Sequence, residues 1–230
     1  MRGPTVRDRA AFLPRTGTLV VADLHVGRDE ASSVRFPLGE RCDLTERLDA
    51  LVTHFGPERV VLAGDVLHRF DRVGAAARDG LDAIAAVCRQ AGARPVAVAG
   101  NHDAMLAGAW DGEVREAYAL GEGTVVCHGH EAPPIEGSRY VIGHLHPTIT
   151  IEGNRHPCFL RRPDEDGNDE VLVLPAFNRL ASGLDVNWLE SADVTSPLLE
   201  DIDAFRPIVY DPDSQETLEF PPLAELRRLL

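Results

Sequence analysis

The chain contains no lysine: its 23 basic residues are all arginine, against 37 aspartates and glutamates, for a formal net charge of -14. That balance speaks against the basic face with which most nucleic-acid binders hold phosphate. It is the composition that keeps a protein hydrated in concentrated salt, and it predicts a salt-loving source. Melting temperature measured against KCl is expected to peak above about 0.2 M, where screening is strong, and a maximum below that contradicts the expectation. Long hydrophobic runs are also missing. Hydrophobic residues make up 44% of the chain, yet no run approaches the roughly 18 residues of a membrane span. The basic opening "MRGPTVRDRAAFLPRTG" lacks an apolar stretch of signal-peptide length, so the expected location is cytoplasmic, with no membrane partner. No C-x-x-C pair occurs; the four cysteines at 42, 88, 127 and 158 are scattered and read as free thiols of a reducing compartment. Internal repeats and convincing linkers are absent too, so residues 1–230 are expected to form one domain.

What is present is a recurring unit. Five short β-branched apolar runs end abruptly in Gly, Asp, Asn or His: "TLVVADLH" (18–25), "RVVLAGDVLH" (59–68), "RPVAVAGNHD" (94–103), "TVVCHGH" (124–130) and "RYVIGHLH" (139–146). Continuous Val, Ile, Leu and Ala suit strands buried on both faces. In layered α/β folds functional groups collect just beyond the carboxyl ends of such strands, which places all five polar clusters on one rim. Two helices are expected between them. One is 43–55, with Asp43 as cap, Glu46 three residues on and an apolar stripe; the other is 75–92, ending at Gly92. His54 reads as a surface residue of the first helix. After His146, "TITI", "CFLRR" and "EVLVLP" read as successive strands, with "PDEDGNDE" (163–170) an exposed hairpin turn. His156 falls in a turn-like stretch, and "PLAELRRLL" at the end reads as a short helix.

The strand ends supply Asp23 and His25; Asp65; Asn101, His102 and Asp103; His128; and His144 with His146. Carboxylates, imidazoles and one amide oxygen suit borderline divalent ions such as Mn²⁺, Fe²⁺ or Zn²⁺. The donors are too many for one ion and suffice for two if one carboxylate bridges. In an extended strand a D-x-H or H-x-H pair points one way, but at a strand end loop geometry can divide it between ions. Gly64, Gly100, Gly129 and Gly143 flank these residues, where a missing side chain permits close approach.

In this order, D-x-H, G-D-x-x-H, G-N-H-D, H-G-H and G-H-x-H resemble the signature of the calcineurin-like metallophosphoesterases. The motifs span residues 23 to 146, with strands and an acidic tail over 147–230. The resemblance implies an α/β fold, a four-layer αββα sandwich of two mixed β-sheets flanked by helices. It also implies that Asp23, His25 and His146 bind one metal and Asn101, His128 and His144 a second, with Asp65 bridging. Two divalent ions, manganese foremost, against two carboxylates leave a cationic pocket suited to a phosphate ester. His102 is then the expected general acid or transition-state stabiliser at the leaving oxygen, and Asp103 the residue that orients its ring. His68 reads as supporting or substrate-facing, and His130 as a support for a ligand or a solvated loop residue.

Two further segments, "HVGRDEASSVRFPLGE" (25–40) and "LPAFNRLASGLDVN" (174–187), resemble archaeal phosphoesterases related to the SbcD nuclease and bacterial ligase-associated DNA-repair phosphoesterases. The first is expected to cover or gate the pocket, with Arg28 or Arg35 meeting a phosphate. The resemblance implies a nuclease or phosphodiesterase acting on nucleic acid, such as single-stranded DNA or DNA ends, in DNA repair and alongside repair proteins. The chain departs from the full-length double-strand-break nucleases in leaving little room for their added DNA-binding region. Its acidity weighs less than it first suggests, because in molar salt the Debye length is about 3 Å. Two alternatives stay open: hydrolysis of a small nucleotide or other phosphate ester, and a non-catalytic scaffold like the retromer-type relatives, which lack the catalytic histidine kept here as His102.

Overall fold

Each apolar run forms a strand whose side chains alternate between two buried faces, and that alternation builds the layers. The computed structural model describes residues 3–31, 39–163 and 169–229. Six strands form a first sheet in chain order: β1 (Thr5–Arg7), β2 (Ala10–Leu13), β3 (Thr18–Val21), β4 (Arg59–Ala63), β5 (Arg94–Val98) and β6 (Glu113–Arg115). β1 to β3 pair antiparallel and β3 to β6 parallel. The next strands open a second sheet, β7 (Ala117–Gly121), β8 (Thr124–Cys127) and β9 (Arg139–Ile142), while β10 (Pro147–Ile151) and β11 (Asn154–Pro157) leave it for a small sheet of their own. The chain then returns through β12 (Phe159–Arg162) and β13 (Glu170–Val173), adds β14 (Leu184–Asp185) to the small sheet, and finishes with β15 (Arg206–Asp211) and β16 (Glu216–Glu219). The second sheet is ordered β16-β15-β12-β13-β9-β8-β7, parallel among β8, β9 and β13 and antiparallel elsewhere.

Three buried clusters separate four layers. Val20, Ala22, Val61, Ala63, Val96 and Val98 of the first sheet face Val126, Val141, Phe159 and Leu172 of the second. The opposite faces of the same strands, Leu19, Val21, Val60 and Leu62, pack on helices α2 (Glu40–Phe55) and α3 (Ala75–Gln90). Leu44, Leu48, Leu51 and Val52 supply the α2 stripe, and Leu81, Ile84, Ala85 and Cys88 that of α3, at the three-and-four spacing of an amphipathic helix. Each fully buried Leu or Val contributes roughly 1.5–3 kcal/mol relative to exposure. A short helix, α1 (Arg28–Ala31), follows β3. The outer face of the second sheet is covered more thinly, by Val186, Leu189, Leu199 and Ile202 and by the four-residue α4 (Leu223–Leu226).

The architecture is the expected sandwich of two mixed sheets, with its long helices confined to one side. Local expectations need correction. Helix α2 begins at Glu40 after a left-handed Gly39 with no side-chain cap; Asp43 lies inside the first turn, paired with Arg47 at 3.1 Å and Arg179 at 3.1 Å. His156 sits in β11 opposite Ile149, not in a turn. β15 and β16, unforeseen in the acidic tail, close the second sheet. His54 is exposed, and the four cysteines are free thiols. Arg35 and the tip of the 163–170 turn lie outside the described residues. Among the described residues no helix is long and apolar enough to cross a membrane.

Candidate metal centre

Beyond Val21 and Ala63 the chains of β3 and β4 run on side by side as loops. Asp23 N donates to Gly64 O at 3.1 Å, His25 N to Asp65 O at 2.9 Å and Val26 N to Val66 O at 2.8 Å. Along this edge the backbone turns left-handed at Asp23 (φ 55°), His25 (44°) and Asp65 (45°), and after β9 at His144 (69°) and His146 (49°). A left-handed non-glycine residue costs on the order of 1–3 kcal/mol and persists where its surroundings impose it. Here five such residues carry the groups singled out from sequence. Glycine is required where the loops approach closest: a Cβ on Gly64 would lie 2.2 Å from His128 Nδ1, and one on Gly100 2.3 Å from Asp65 Oδ1.

The side chains converge. His146 Nε2 lies 3.2 Å from Asp23 Oδ1 and 3.3 Å from His25 Nε2, and His25 Nε2 is 4.0 Å from Asp65 Oδ2. On the other side of Asp65, His128 Nε2 stands 3.4 Å from Oδ1 and 3.1 Å from Asn101 Oδ1. Among the described residues, three groups bring their donor atoms within 4.8 Å of one another: Asp23, His25 and His146; Asp23, Asp65 and His128; His25, Asp65 and His102. His144 is less directly engaged. Its ring centre is 4.9 Å from that of His128, its amide donates to Asp23 at 3.0 Å, and its Nε2 faces Thr195 Oγ1 at 3.2 Å.

Backbone carbonyls orient the imidazoles. A carbonyl only accepts, so Nδ1 carries the hydrogen where His146 meets Ser182 O (3.3 Å), His102 meets His68 O (2.9 Å) and His128 meets Ala63 O (3.4 Å). In each case Nε2 is left as the nitrogen facing the cluster, the arrangement typical of metal-ligating histidines. Burial drives His25 down to about 3 and His128 down to about 4, so both are neutral with a lone pair to offer. Burial alone would raise Asp23, but the neighbouring imidazoles, His146 first, hold it below the usual carboxylate range. With His25 and His128 neutral, the opposing charge is that of His146, which the Asp23 carboxylate raises against the effect of its own burial. Asp65 is pushed up to about 7 by burial and then by the charge of Asp23. Two buried carboxylates among imidazoles, of which His25 and His128 are held neutral, form a donor set that divalent cations fit, since positive charge between them offsets both the burial and the repulsion that raise Asp65.

The remaining expectations divide. His102 reaches the cluster, with Nε2 3.9 Å from Asp65 Oδ2 and its amide donating to Asp65 Oδ1 at 2.9 Å. Asp103 does not orient it. That carboxylate accepts from the amides of Val66 (3.1 Å), Leu67 (2.8 Å) and Gly100 (2.8 Å), tying the β4 loop to the β5 loop, and the carbonyl of His68 orients the His102 ring instead. The His68 ring stacks near His102, 6.4 Å between centres and 15° from parallel. His130 lies 5.2 Å from the His128 ring, with Nε2 3.7 Å from Glu131. Arg28 is half-buried in α1, and after burial its charge is the next cause of a lowered His68. Glu40, Asn178, Ser182 and Thr195 also touch this region and were not foreseen; Glu40, Asn178 and Ser182 lie in the two segments whose resemblance was noted, while Thr195 carries no sequence signal.

Known proteins supply the context. Residues 17–204 match the model of the calcineurin-like phosphoesterase family. The fold is similar to that of nuclease MPE of Pseudomonas putida, at TM-score 0.64 and 25% identity over 88% of each chain. It is more loosely similar to Yfce, a phosphoesterase from E. coli, at TM-score 0.43 and 16% identity over 89% of this chain and 98% of that one. No curated protein matches the sequence.

Proposed function

The chain belongs to the calcineurin-like phosphoesterases and is a hydrolase of phosphate esters, and on that premise we propose that it cleaves phosphodiester bonds of nucleic acid using two divalent cations. Asp23, His25 and His146 would hold one cation and Asn101, His128 and His144 the other, with Asp65 shared between them. Manganese is the foremost candidate, with Fe²⁺ or Zn²⁺ next. Bound there, the pair would offset the charge of the phosphate and make a water nucleophilic near neutral pH.

The chain's own groups supply the rest. His102, fixed through Nδ1 by the His68 carbonyl, presents Nε2 toward the cluster and delivers a proton to the departing oxygen. Asn101 is exposed and His102 half-exposed, so this side of the rim admits a polymer, and Arg28 beside His68 suits a flanking phosphate. The observation that carries the reading is the convergence of carboxylates and imidazoles around Asp23 and Asp65. The likeness to nuclease MPE over most of both chains favours nucleic acid over a small ester, and the segments 25–40 and 174–187 favour single strands or ends met in repair. An acidic surface is compatible with this in concentrated salt, where distant carboxylates are screened.

The test is a substrate panel on protein stripped with EDTA and reloaded with Mn²⁺. Stripped protein is expected to be inactive. Reloaded protein is expected to cleave bis-p-nitrophenyl phosphate and single-stranded DNA, whereas turnover of p-nitrophenyl phosphate alone would overturn the nuclease reading in favour of a monoesterase.

A further inference from the structure

Described residues of the two segments noted for their resemblance, Gly27, Arg28 and Glu40 of the first and Asn178 of the second, are joined by hydrogen bonds at the loop after β3. The left-handed turns at Asp23 and His25 take the carbonyls of residues 23–25 out of the strand ladder, and buried carbonyls need donors. Asn178 provides them for Asp23 and Leu24, while His25 O also accepts from Arg28 N at 3.1 Å. The Asn178 amide nitrogen donates to Asp23 O at 3.3 Å, and its side-chain nitrogen donates to Leu24 O at 2.8 Å and approaches His25 O at 3.4 Å. The same nitrogen donates to Glu40 Oε1 at 2.7 Å, and Glu40 accepts from the amides of Gly27 (2.9 Å) and Arg28 (3.1 Å). Asn178 is 1% and Glu40 5% exposed.

The strap continues to the far side of the cluster. Ser182 O accepts from His146 Nδ1 at 3.3 Å, and Leu184 N donates to His146 O at 2.9 Å. Residues 178–184 thus touch Asp23, His25 and His146, and among the described residues their hydrogen bonds reach neither Asn101 nor His128. The strap is itself anchored, with Phe177 O accepting from buried Arg47 at 2.7 Å and Phe177 N donating to Ala22 O at 2.8 Å.

We infer that Asn178 and Glu40 are positioning residues for one cation of the pair, the one held by Asp23, His25 and His146. They fix the backbone turns that aim these groups and touch no substrate. The inference rests on the two-cation reading above.

The experiment is Mn²⁺ titration of EDTA-stripped protein, with anomalous diffraction at the manganese edge to locate each ion. Wild type is expected to bind two ions. Asn178→Ala is expected to bind the ion at Asp23, His25 and His146 about 10–100-fold more weakly, the usual effect of removing a support behind a ligand, and to leave the other position unchanged. Its kcat on bis-p-nitrophenyl phosphate is expected to recover at saturating Mn²⁺, which a misfolded site would not do. Glu40→Gln keeps the size and one acceptor, and carries the test with a smaller shift at the same position if Asn178→Ala does not fold. Arg179→Ala, removing an exposed side chain paired with Asp43, is the control and is expected to bind as wild type. Wild-type affinity at both positions in both variants overturns the inference, as does equal weakening of both. Wild-type protein that binds no Mn²⁺ overturns the two-cation reading itself.

Discussion

Replacing Asp65 by asparagine is expected to abolish hydrolysis and, at the same time, to stabilise the metal-free protein at neutral pH. Asp65 reaches both halves of the cluster, 4.0 Å from His25 and 3.4 Å from His128. An amide bridges two cations poorly, so both ions and their contribution of several kcal/mol to the transition state are lost, a fall of about 10³-fold or more in kcat/KM. Stability moves the other way. An acid whose folded pKa lies above its unfolded value binds its proton more tightly in the folded state, so its contribution falls as pH rises between the two. For Asp65 the window runs from 3.8 to about 7. Above it the wild-type apo protein carries the full repulsion between Asp65 and Asp23, which Asp65→Asn would relieve. The expected gain is about 1–3 kcal/mol, a few degrees of Tm in EDTA at pH 8, vanishing near pH 4. An apo Tm that is lower in the variant at pH 8 would contradict this account of the electrostatics.

Substituting His102 by alanine separates chemistry from cation binding. His102 touches Asp65 only at 3.9 Å and through its backbone amide, so His102→Ala is expected to retain two manganese ions per chain. If Nε2 supplies the proton to the leaving oxygen, kcat falls by about 10²–10⁴-fold. The loss should shrink on a substrate whose leaving group needs no proton, and bis-p-nitrophenyl phosphate is closer to that limit than DNA. Equal rates for variant and wild type on DNA would remove the general-acid role. Loss of an ion together with activity would instead move His102 into the ligand set, as its grouping with His25 and Asp65 allows.

The layers were legible because continuous runs such as "RVVLA" over 59–63 have one economical solution, a strand buried on both faces, which β4 adopts. The rim followed from the same runs, since Asp65, Asn101 and His128 stand just past strand ends. What sequence could not convey was direction. His102 and Asp103 are neighbours in the chain, yet one ring faces the cluster and the adjoining carboxylate turns back to three amides. Left-handed turns at Asp23 and His25 leave no signature, because Asp and His adopt that conformation only when tertiary contacts ask for it. The same limit hid Asn178, whose role depends on carbonyls exposed by those turns far earlier in the chain. β15 was masked by Pro207, a residue that argues against a strand interior, although its carbonyl still pairs with Phe220 N at 2.9 Å. Asp43 resembled a cap, but Glu40 begins the helix three positions sooner and turns its carboxylate back to the loop after β3.

The donors come from both sheets, Asp23, His25, Asp65 and Asn101 from one and His128, His144 and His146 from the other. A cation pair seated among them, as proposed, would be a clasp across the sandwich, and its binding energy would be shared with folding: at a hundredfold excess over Kd each ion would add about 2.7 kcal/mol to the native state. The two halves would then part only after the clasp opens, and parting would uncover the valine-rich seam of Val20, Val61, Val126 and Val141. On the two-cation reading, metal supply would govern how long the molecule survives as well as how fast it turns over.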